Sequence, residues 1–248
     1  MPRLQILGCG SSWGVPVASC KCDVCLSDSP FNKRNRSSLL ISDEETSILV
    51  DCGFDIRHQL LKYDICKIDA AILTHDHADH VSGLDELRIF KLLHGIVPDL
   101  YSDSSTLSII MERFAYLFNA KLFNPKAIDF YSKLKINNIE LQFFKQDHGV
   151  MDSLGFRIGD VVYSNDLIDY PEQSKQYLKN SRVWIMDCID YKSTLTHCGL
   201  DQVMKWRQEF SPQKIYLTNL SHDLDYFELK SKLPSDIEPA YDGLTVEI

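Results

Sequence analysis

Three features of the 248-residue chain predict a layered α/β fold. Short apolar runs alternate with stretches of helical period along the whole length. Several of these runs end in polar clusters, which places a site along one sheet edge. The balance of 44% hydrophobic and 25% charged residues is that of a globular protein. No apolar run approaches the ~20 residues that span a bilayer. The chain is long enough for a sizeable core. With no linker, repeat or low-complexity tract, a single domain over residues 1–248 is expected.

The first strand is expected over 3–7, running into the glycine-rich turn Gly8-Cys9-Gly10-Ser11-Ser12. A cysteine-rich loop follows, near residues 20–25. Strands are then expected at Ser38–Ser42 and Ser47–Val50, separated by the acidic turn Asp43-Glu44-Glu45, and the second ends in Asp51-Cys52-Gly53. Residues 54–63 form a helix, and 70–73 a short buried strand that delivers a histidine run at its end. Residues 84–93 and 105–117 read as helices. The second half repeats the alternation. It has strands over 139–144, 161–163, 183–186, 214–217 and 244–248. Its helices lie over 171–179, with proline early in the first turn, 200–209 and 223–230.

Twenty-six basic side chains against 35 acidic give a formal charge of −9. That disfavours a nucleic-acid binder that neutralises many phosphates, although bound cations would add positive charge that a sequence count omits. The N-terminus MPRLQILGCG lacks a secretion signal, so a cytoplasmic location is expected. In that setting the eight cysteines read as metal ligands or free thiols rather than four disulfides.

The strongest signal is Thr74-His75-Asp76-His77-Ala78-Asp79-His80. Three imidazoles and a carboxylate within six positions, just after an apolar strand, suit a divalent transition metal. His75 and His77, two apart on an extended segment, project to one side and can share an ion. Asp79 and His80 are adjacent, so a turn or helix start must splay them toward a second ion.

This run resembles the metal-binding motif of the metallo-β-lactamase superfamily. The resemblance implies an αββα sandwich with a dinuclear site, and it assigns further residues. His75, His77 and His148 would hold the first metal, Asp166 would bridge, and Asp79 and His80 would hold the second. Asp51 would support a ligating histidine through a hydrogen bond. The family usually closes the second site with a histidine in a Leu-Thr-His setting, whereas here Leu217-Thr218 is followed by Asn219. An asparagine carbonyl oxygen binds a transition metal more weakly than imidazole does, so a weaker, oxygen-rich second site is expected.

Cys20-Lys21-Cys22-Asp23-Val24-Cys25 puts three thiols within six residues, a spacing that can wrap one Zn²⁺ and leave a fourth vertex for His222. A disulfide plus a spare thiol, or three buried thiols, are the alternatives. With this cluster the chain is most similar to the cyclic-phosphate phosphodiesterases of the phosphonate-degradation pathway. Gly8–Ser12, Gly14-Val15-Pro16, the cysteine loop, Met186-Asp187-Cys188, His197-Cys198, Ser221-His222 and Tyr241-Asp242-Gly243 carry that likeness.

The resemblance implies a metal-dependent hydrolase, read as a phosphodiesterase that cleaves a small cyclic or linear phosphate ester. Two divalent cations (Mn, Zn or Fe) would activate a bridging hydroxide, with Asp79 among the catalytic groups and His197 protonating the leaving group. One structural Zn and a homodimer are also implied. Two alternatives share these residues. One is an RNA-processing nuclease, disfavoured by the acidic balance and by the lack of a basic, glycine-rich arm. The other is a non-catalytic metal-binding protein whose second site Asn219 impairs. Asp187, at the end of an apolar strand, reads either as support for the site or as a cap. His58 and His94 read as exposed helical residues, and Cys9, Cys52, Cys66, Cys188 and Cys198 as buried small hydrophobes. The aromatic stretch 114–123 reads as core or subunit contact.

Overall fold

The computed structural model describes residues 2–248. Fourteen strands form two seven-stranded sheets. The first contains β1 (Arg3–Gly8), β2 (Ser38–Ser42), β3 (Ser47–Val50), β4 (Ala70–Ile72), β5 (Asp99–Ser102), β6 (Asn124–Ala127) and β14 (Thr245–Glu247), in the order β14-β1-β2-β3-β4-β5-β6. The second contains β7 (Lys133–Ile136), β8 (Ile139–Asp147), β9 (Asp152–Ile158), β10 (Val161–Ser164), β11 (Val183–Asp187), β12 (Lys214–Thr218) and β13 (Ile237–Pro239), ordered β13-β12-β11-β10-β9-β8-β7.

Strand periodicity makes the layers. Along β2, Leu39 and Ile41 enter the core between the sheets, while Leu40 between them points to the outer face. Along β11, Val183 and Ile185 face inward, and Trp184 and Met186 face outward. Both faces of the central strands are therefore buried, which is why those strands read as continuous apolar runs. The outer face of the first sheet is covered by α2 (Ile56–Lys62), a 3₁₀ segment (Leu84–Arg88), α4 (Ile89–His94) and α5 (Ser104–Arg113), through Ile56, Leu84, Leu87, Phe90, Leu107 and Ile110. That of the second is covered by α7 (Leu200–Phe210) and α8 (Tyr226–Lys232), through Val203, Trp206, Phe210 and Leu229. The buried Trp184 indole donates to Ser164 Oγ at 3.1 Å, so its polar edge is satisfied. The result is the expected αββα sandwich. No helix is long and apolar enough to cross a membrane among the described residues.

Several expected elements differ. The helix expected over 105–117 breaks at Phe114 into α5 and α6 (Ala115–Asn119). That over 84–93 begins as the 3₁₀ segment, and that over 171–179 is a 3₁₀ segment, Glu172–Tyr177. Strands β5, β6, β7, β9 and β13 escape a reading by periodicity. β6 and β7 are largely exposed edge strands with no buried run, and β13 is three residues long. Cys66 is exposed, in the loop after α2, rather than buried. The other four cysteines of that group are buried as expected, and His58 and His94 are exposed.

The two parallel stretches, β3-β4-β5-β6 and β10-β11-β12-β13, position the site. Parallel neighbours end on the same edge, so their C-terminal residues collect there. Asp51, Thr74, Asp166, Asp187 and Asn219 all lie at or just beyond such ends. Asp51 (φ 59°), Asp166 (φ 53°) and Asn219 (φ 61°) each adopt the left-handed conformation, which turns the chain sharply off its strand. Asp and Asn tolerate that region better than most side chains. The Leu154 amide donates to the Thr74 carbonyl at 3.0 Å and joins the two halves of the sandwich beside the histidine run.

Candidate metal centre

The short helix α3 (Ala78–Val81) starts within the histidine run, with His77 as its N-cap. This change of direction sends His75 and His77 one way and His80 another, as the adjacent positions require. Gly53 lets α3 approach β3's end closely. A Cβ there would lie 1.8 Å from the Asp79 carbonyl oxygen.

Three imidazoles converge at the first candidate site. The ligand atoms of His75, His77 and His148 all lie within 4.8 Å of one another. His148 donates through Nδ1 to the Thr196 carbonyl at 2.6 Å, which leaves Nε2 free to face His77 Nδ1 at 3.3 Å. His75 Nδ1 lies 3.0 Å from Thr74 Oγ1, and its Nε2 is buried with no hydrogen-bond partner. An orphaned nitrogen beside two further imidazoles is the donor set of a divalent transition metal, so the residues fit the implied ion. Burial and then the neighbouring His80 hold His75 well below the usual imidazole range.

Beside these imidazoles stand His80, Asp166 and Asp79. His80 Nε2 is 2.9 Å from Asp166 Oδ2 and 3.4 Å from Asp79 Oδ2. Its Nδ1–H donates to Asp51 Oδ2 at 2.8 Å. Asp51 also accepts the Thr74 amide at 2.8 Å and the Thr74 hydroxyl, so this fully buried carboxylate is satisfied on both oxygens. Burial opposes charge on His80, but Asp166 and Asp51 outweigh it and raise its pKa. Asp166 also accepts from Asn165 Nδ2 at 2.8 Å.

Asn219 departs from the expectation of a carbonyl-oxygen ligand. Its Nδ2 donates to Asp166 Oδ1 at 3.1 Å and to Asp187 Oδ1 at 2.9 Å. Two carboxylate oxygens need a donor, and reversing the amide would set its oxygen against both. The side chain in this arrangement fastens the carboxylates together.

The role of Asp187, open between two readings in the sequence, falls to the site. This buried carboxylate accepts the Leu167 amide and the Asn219 amide, and its Oδ2 is 3.1 Å from His197 Nδ1. Burial disfavours charge on His197, but Asp187 and then Asp166 outweigh it and lift the His197 pKa to about 9. With Nδ1 turned to Asp187, Nε2 is the nitrogen left to serve a substrate. His77, Asp79 and His197 are the partly exposed members, the last two at 17% and 21% side-chain exposure, which locates the mouth of the site.

The second cluster is built as the cysteine spacing predicts. Cys20, Cys22 and Cys25 place their sulfurs 3.3, 3.5 and 3.7 Å from His222 Nδ1. A tetrahedral zinc ion, with bonds of about 2.3 Å to sulfur and about 2.0 Å to nitrogen, has S···N edges of about 3.5 Å, so this set also fits its ion. Amides of Val17, Cys22 and Cys25 point at the sulfurs. The Cys25 amide and the His222 ring draw the Cys22 thiol down to about 6, while burial pushes Cys25 up to about 11.

Sequence reasoning missed what holds His222 in reach. Buried Arg34 donates to the carbonyls of Phe31, Ser221 and Leu224 and to Asn32 Oδ1, gripping the loop on both sides of His222. Nothing in the sequence pattern distinguishes this arginine from a surface one. Asp187 had a signal: like Asp51, it closes an apolar strand.

Known proteins show the same architecture. The model of the β-lactamase superfamily domain matches residues 46–218. A solved structure described as a new diphosphatase from the PhnP family superposes with a TM-score of 0.94 at 30% identity, covering 100% of this chain and 98% of that one. An octanoyltransferase of Porphyromonas gingivalis is 31% identical over 98% of this chain. The chain spans only about half of that protein, 51% of its length. The anti-Pycsar protein Apyc1 of Bacillus phage BSP38 is 23% identical, over 82% of this chain and 90% of its own length. The chain belongs to the β-lactamase superfamily and has the metallo-β-lactamase fold.

Proposed function

We propose that the chain is a metal-dependent phosphodiesterase acting on a small phosphate ester, with a structural zinc in the cysteine loop. The observation that carries this reading is the buried, partnerless His75 Nε2 facing His77 and His148, with His197 at the mouth of the same cleft. His75, His77 and His148 would hold one divalent cation, and Asp79, His80 and Asp166 a second. Bound there, such cations supply Lewis acidity toward a phosphoryl group and lower the pKa of coordinated water. The chain's own groups do the rest. Asp51 and the Thr196 carbonyl fix the ring orientations of His80 and His148. Asp187 orients His197 so that Nε2 can give a proton to the departing alkoxide. The 30% identity to a PhnP-family diphosphatase along the whole chain supports phosphorus as the centre attacked.

The test is turnover of bis(p-nitrophenyl) phosphate by protein loaded with Mn²⁺, Zn²⁺ or Fe²⁺. Activity is expected with at least one metal and is lost in His77→Ala and Asp79→Ala. His197→Ala is expected to lower kcat by about 10²- to 10⁴-fold, more for a methyl ester than for a p-nitrophenyl ester, with metal content unchanged. No turnover with any of the three metals overturns the reading. The likeness to part of an octanoyltransferase favours a second reading, hydrolysis of an acyl thioester at the same centre. An octanoyl thioester cleaved faster than any phosphodiester would favour it.

A further inference from the structure

Four large apolar side chains on segments that border the metal centre stand exposed: Trp13 at 66%, Phe54 at 58%, Val150 at 76% and Leu195 at 91%. Each is tied to a site residue by backbone contacts. Phe54 follows Gly53, whose Cα is pressed against the Asp79 carbonyl. Trp13 follows the glycine-rich turn, where the Ser11 amide donates to the Leu220 carbonyl beside Asn219. Val150 lies two residues from His148 and Leu195 two from His197. Their turns pack directly together, since a Cβ on Gly149 would come within 2.6 Å of the Leu195 carbonyl oxygen.

The two aromatic residues are also joined to each other. The Arg36 guanidinium lies over the Phe54 ring, 5.0 Å from its centroid. Its Nε donates to the Ser12 carbonyl next to Trp13 at 2.8 Å, and its Nη1 pairs with Asp55 Oδ1 at 2.9 Å. One cation thus pins the segments that carry both rings beside the Asp79 side of the cleft. Leaving two aromatic rings in water forfeits burial that Trp and Phe ordinarily gain, while a flat ring held at a site mouth is a surface on which another planar ring stacks.

We propose that Trp13 and Phe54, linked through Arg36, form a stacking platform, and that the phosphate ester taken by this site carries a planar aromatic group outside its scissile bond. The inference rests on the phosphodiesterase reading for its chemistry, but stacking can be observed without turnover. Trp184 and Trp206 are shielded at 0% and 2% exposure, so ligand quenching of indole fluorescence reports on Trp13. Thymidine 5′-monophosphate is expected to quench the metal-loaded protein saturably, and methyl phosphate at equal concentration is not. Phe54→Ala should weaken the thymidine nucleotide at least ~5-fold. Absence of saturable quenching overturns the platform, whatever the turnover assays give.

The kinetic arm compares thymidine 5′-p-nitrophenyl phosphate with methyl p-nitrophenyl phosphate, which share a leaving group. Trp13→Ala should raise KM for the thymidine ester at least ~5-fold with kcat unchanged, leave the methyl ester untouched, and be largely rescued in Trp13→Phe. Equal loss on both esters would mark a merely structural role and overturn the proposal. Quenching without cleavage of either ester would uphold the platform and sink the phosphodiesterase reading instead.

Discussion

Asp51 Oδ2 accepts the Nδ1–H of His80 at 2.8 Å, and this one bond fixes which His80 nitrogen faces the cleft. Both side chains are essentially without solvent contact. The carboxylate is held from below by the Thr74 amide and hydroxyl, so its orientation is set by the backbone of the histidine run itself. A group that fixes a ligand's ring in this way contributes to metal affinity without touching the metal.

Asp51→Asn is therefore expected to weaken the most labile bound metal by about 10- to 100-fold. Competition with a chelator measures this, and activity should return when metal is supplied in excess. Asp51→Ala additionally leaves His80 and the Thr74 amide unpaired in the interior, at a cost of about 3–5 kcal/mol, read as a lower urea midpoint. A D51N protein with unchanged metal affinity would remove Asp51 from the supporting role.

The cysteine cluster predicts a metal that differs in kind from those of the cleft. Cys22→Ser is expected to lose one zinc per chain by elemental analysis while the cleft metals stay. The loss should destabilise the fold, because the ion would join the 20–25 loop to His222, about 200 residues away in sequence. A drop of about 3 kcal/mol corresponds to a Tm lower by roughly 6–12 °C for a domain of this size. Unchanged zinc content in C22S would show that the thiols do not form a metal site.

The stability of the same corner should depend on pH through Asp225. Its carboxylate caps α8, accepting the amides of Phe227 and Glu228 at 3.0 and 2.9 Å, and accepts Asn32 Nδ2 at 2.7 Å. Burial works against the charge, but the Glu228 amide and the Asn32 amide outweigh it and lower the pKa. A carboxylate depressed in the folded state stabilises above its unfolded pKa, about 3.9, and that stability is lost as pH falls through the folded value. Asp225→Ala should cost about 1–2 kcal/mol at neutral pH, with the difference from wild type shrinking in acid. Parallel urea titrations at neutral and acid pH measure it, and a difference independent of pH would refute the assignment.

The histidine run and the cysteine trio were legible in the sequence because each packs several ligands into six residues. Asp51 and Asp166 were reached through the family resemblance that those motifs carry, while Asp187, which closes an apolar strand, stayed open between support and a cap. The rest depends on contacts made at a distance. That Asn219 turns its nitrogen to two carboxylates follows from where β10, β11 and β12 end, which no local window contains. Arg34 is buried by carbonyls from a loop nearly 190 residues away. Strands β5 and β6 were missed because parallel pairing, of β5 with β4 and of β6 with β5, makes them strands despite a weak local pattern.

Asn219 gives the most discriminating experiment. Its amide nitrogen sits between Asp166 and Asp187 and supplies each carboxylate with a hydrogen bond where the two would otherwise repel. A histidine at 219 would exchange those two donor bonds for an imidazole nitrogen at the same strand end. Imidazole binds transition metals more tightly than an amide oxygen does, so Asn219→His should raise the occupancy of the second site under limiting metal. Elemental analysis and the Mn²⁺ electron paramagnetic resonance spectrum would both register the gain, the latter through coupling between neighbouring ions. His197 should then be freed from part of its contact with Asn219, now 3.1 Å from its Nδ1, while Asp187 keeps it oriented. Unchanged stoichiometry in N219H would mean that His80, Asp79 and Asp166 alone determine the second site and that position 219 serves only to hold the carboxylates.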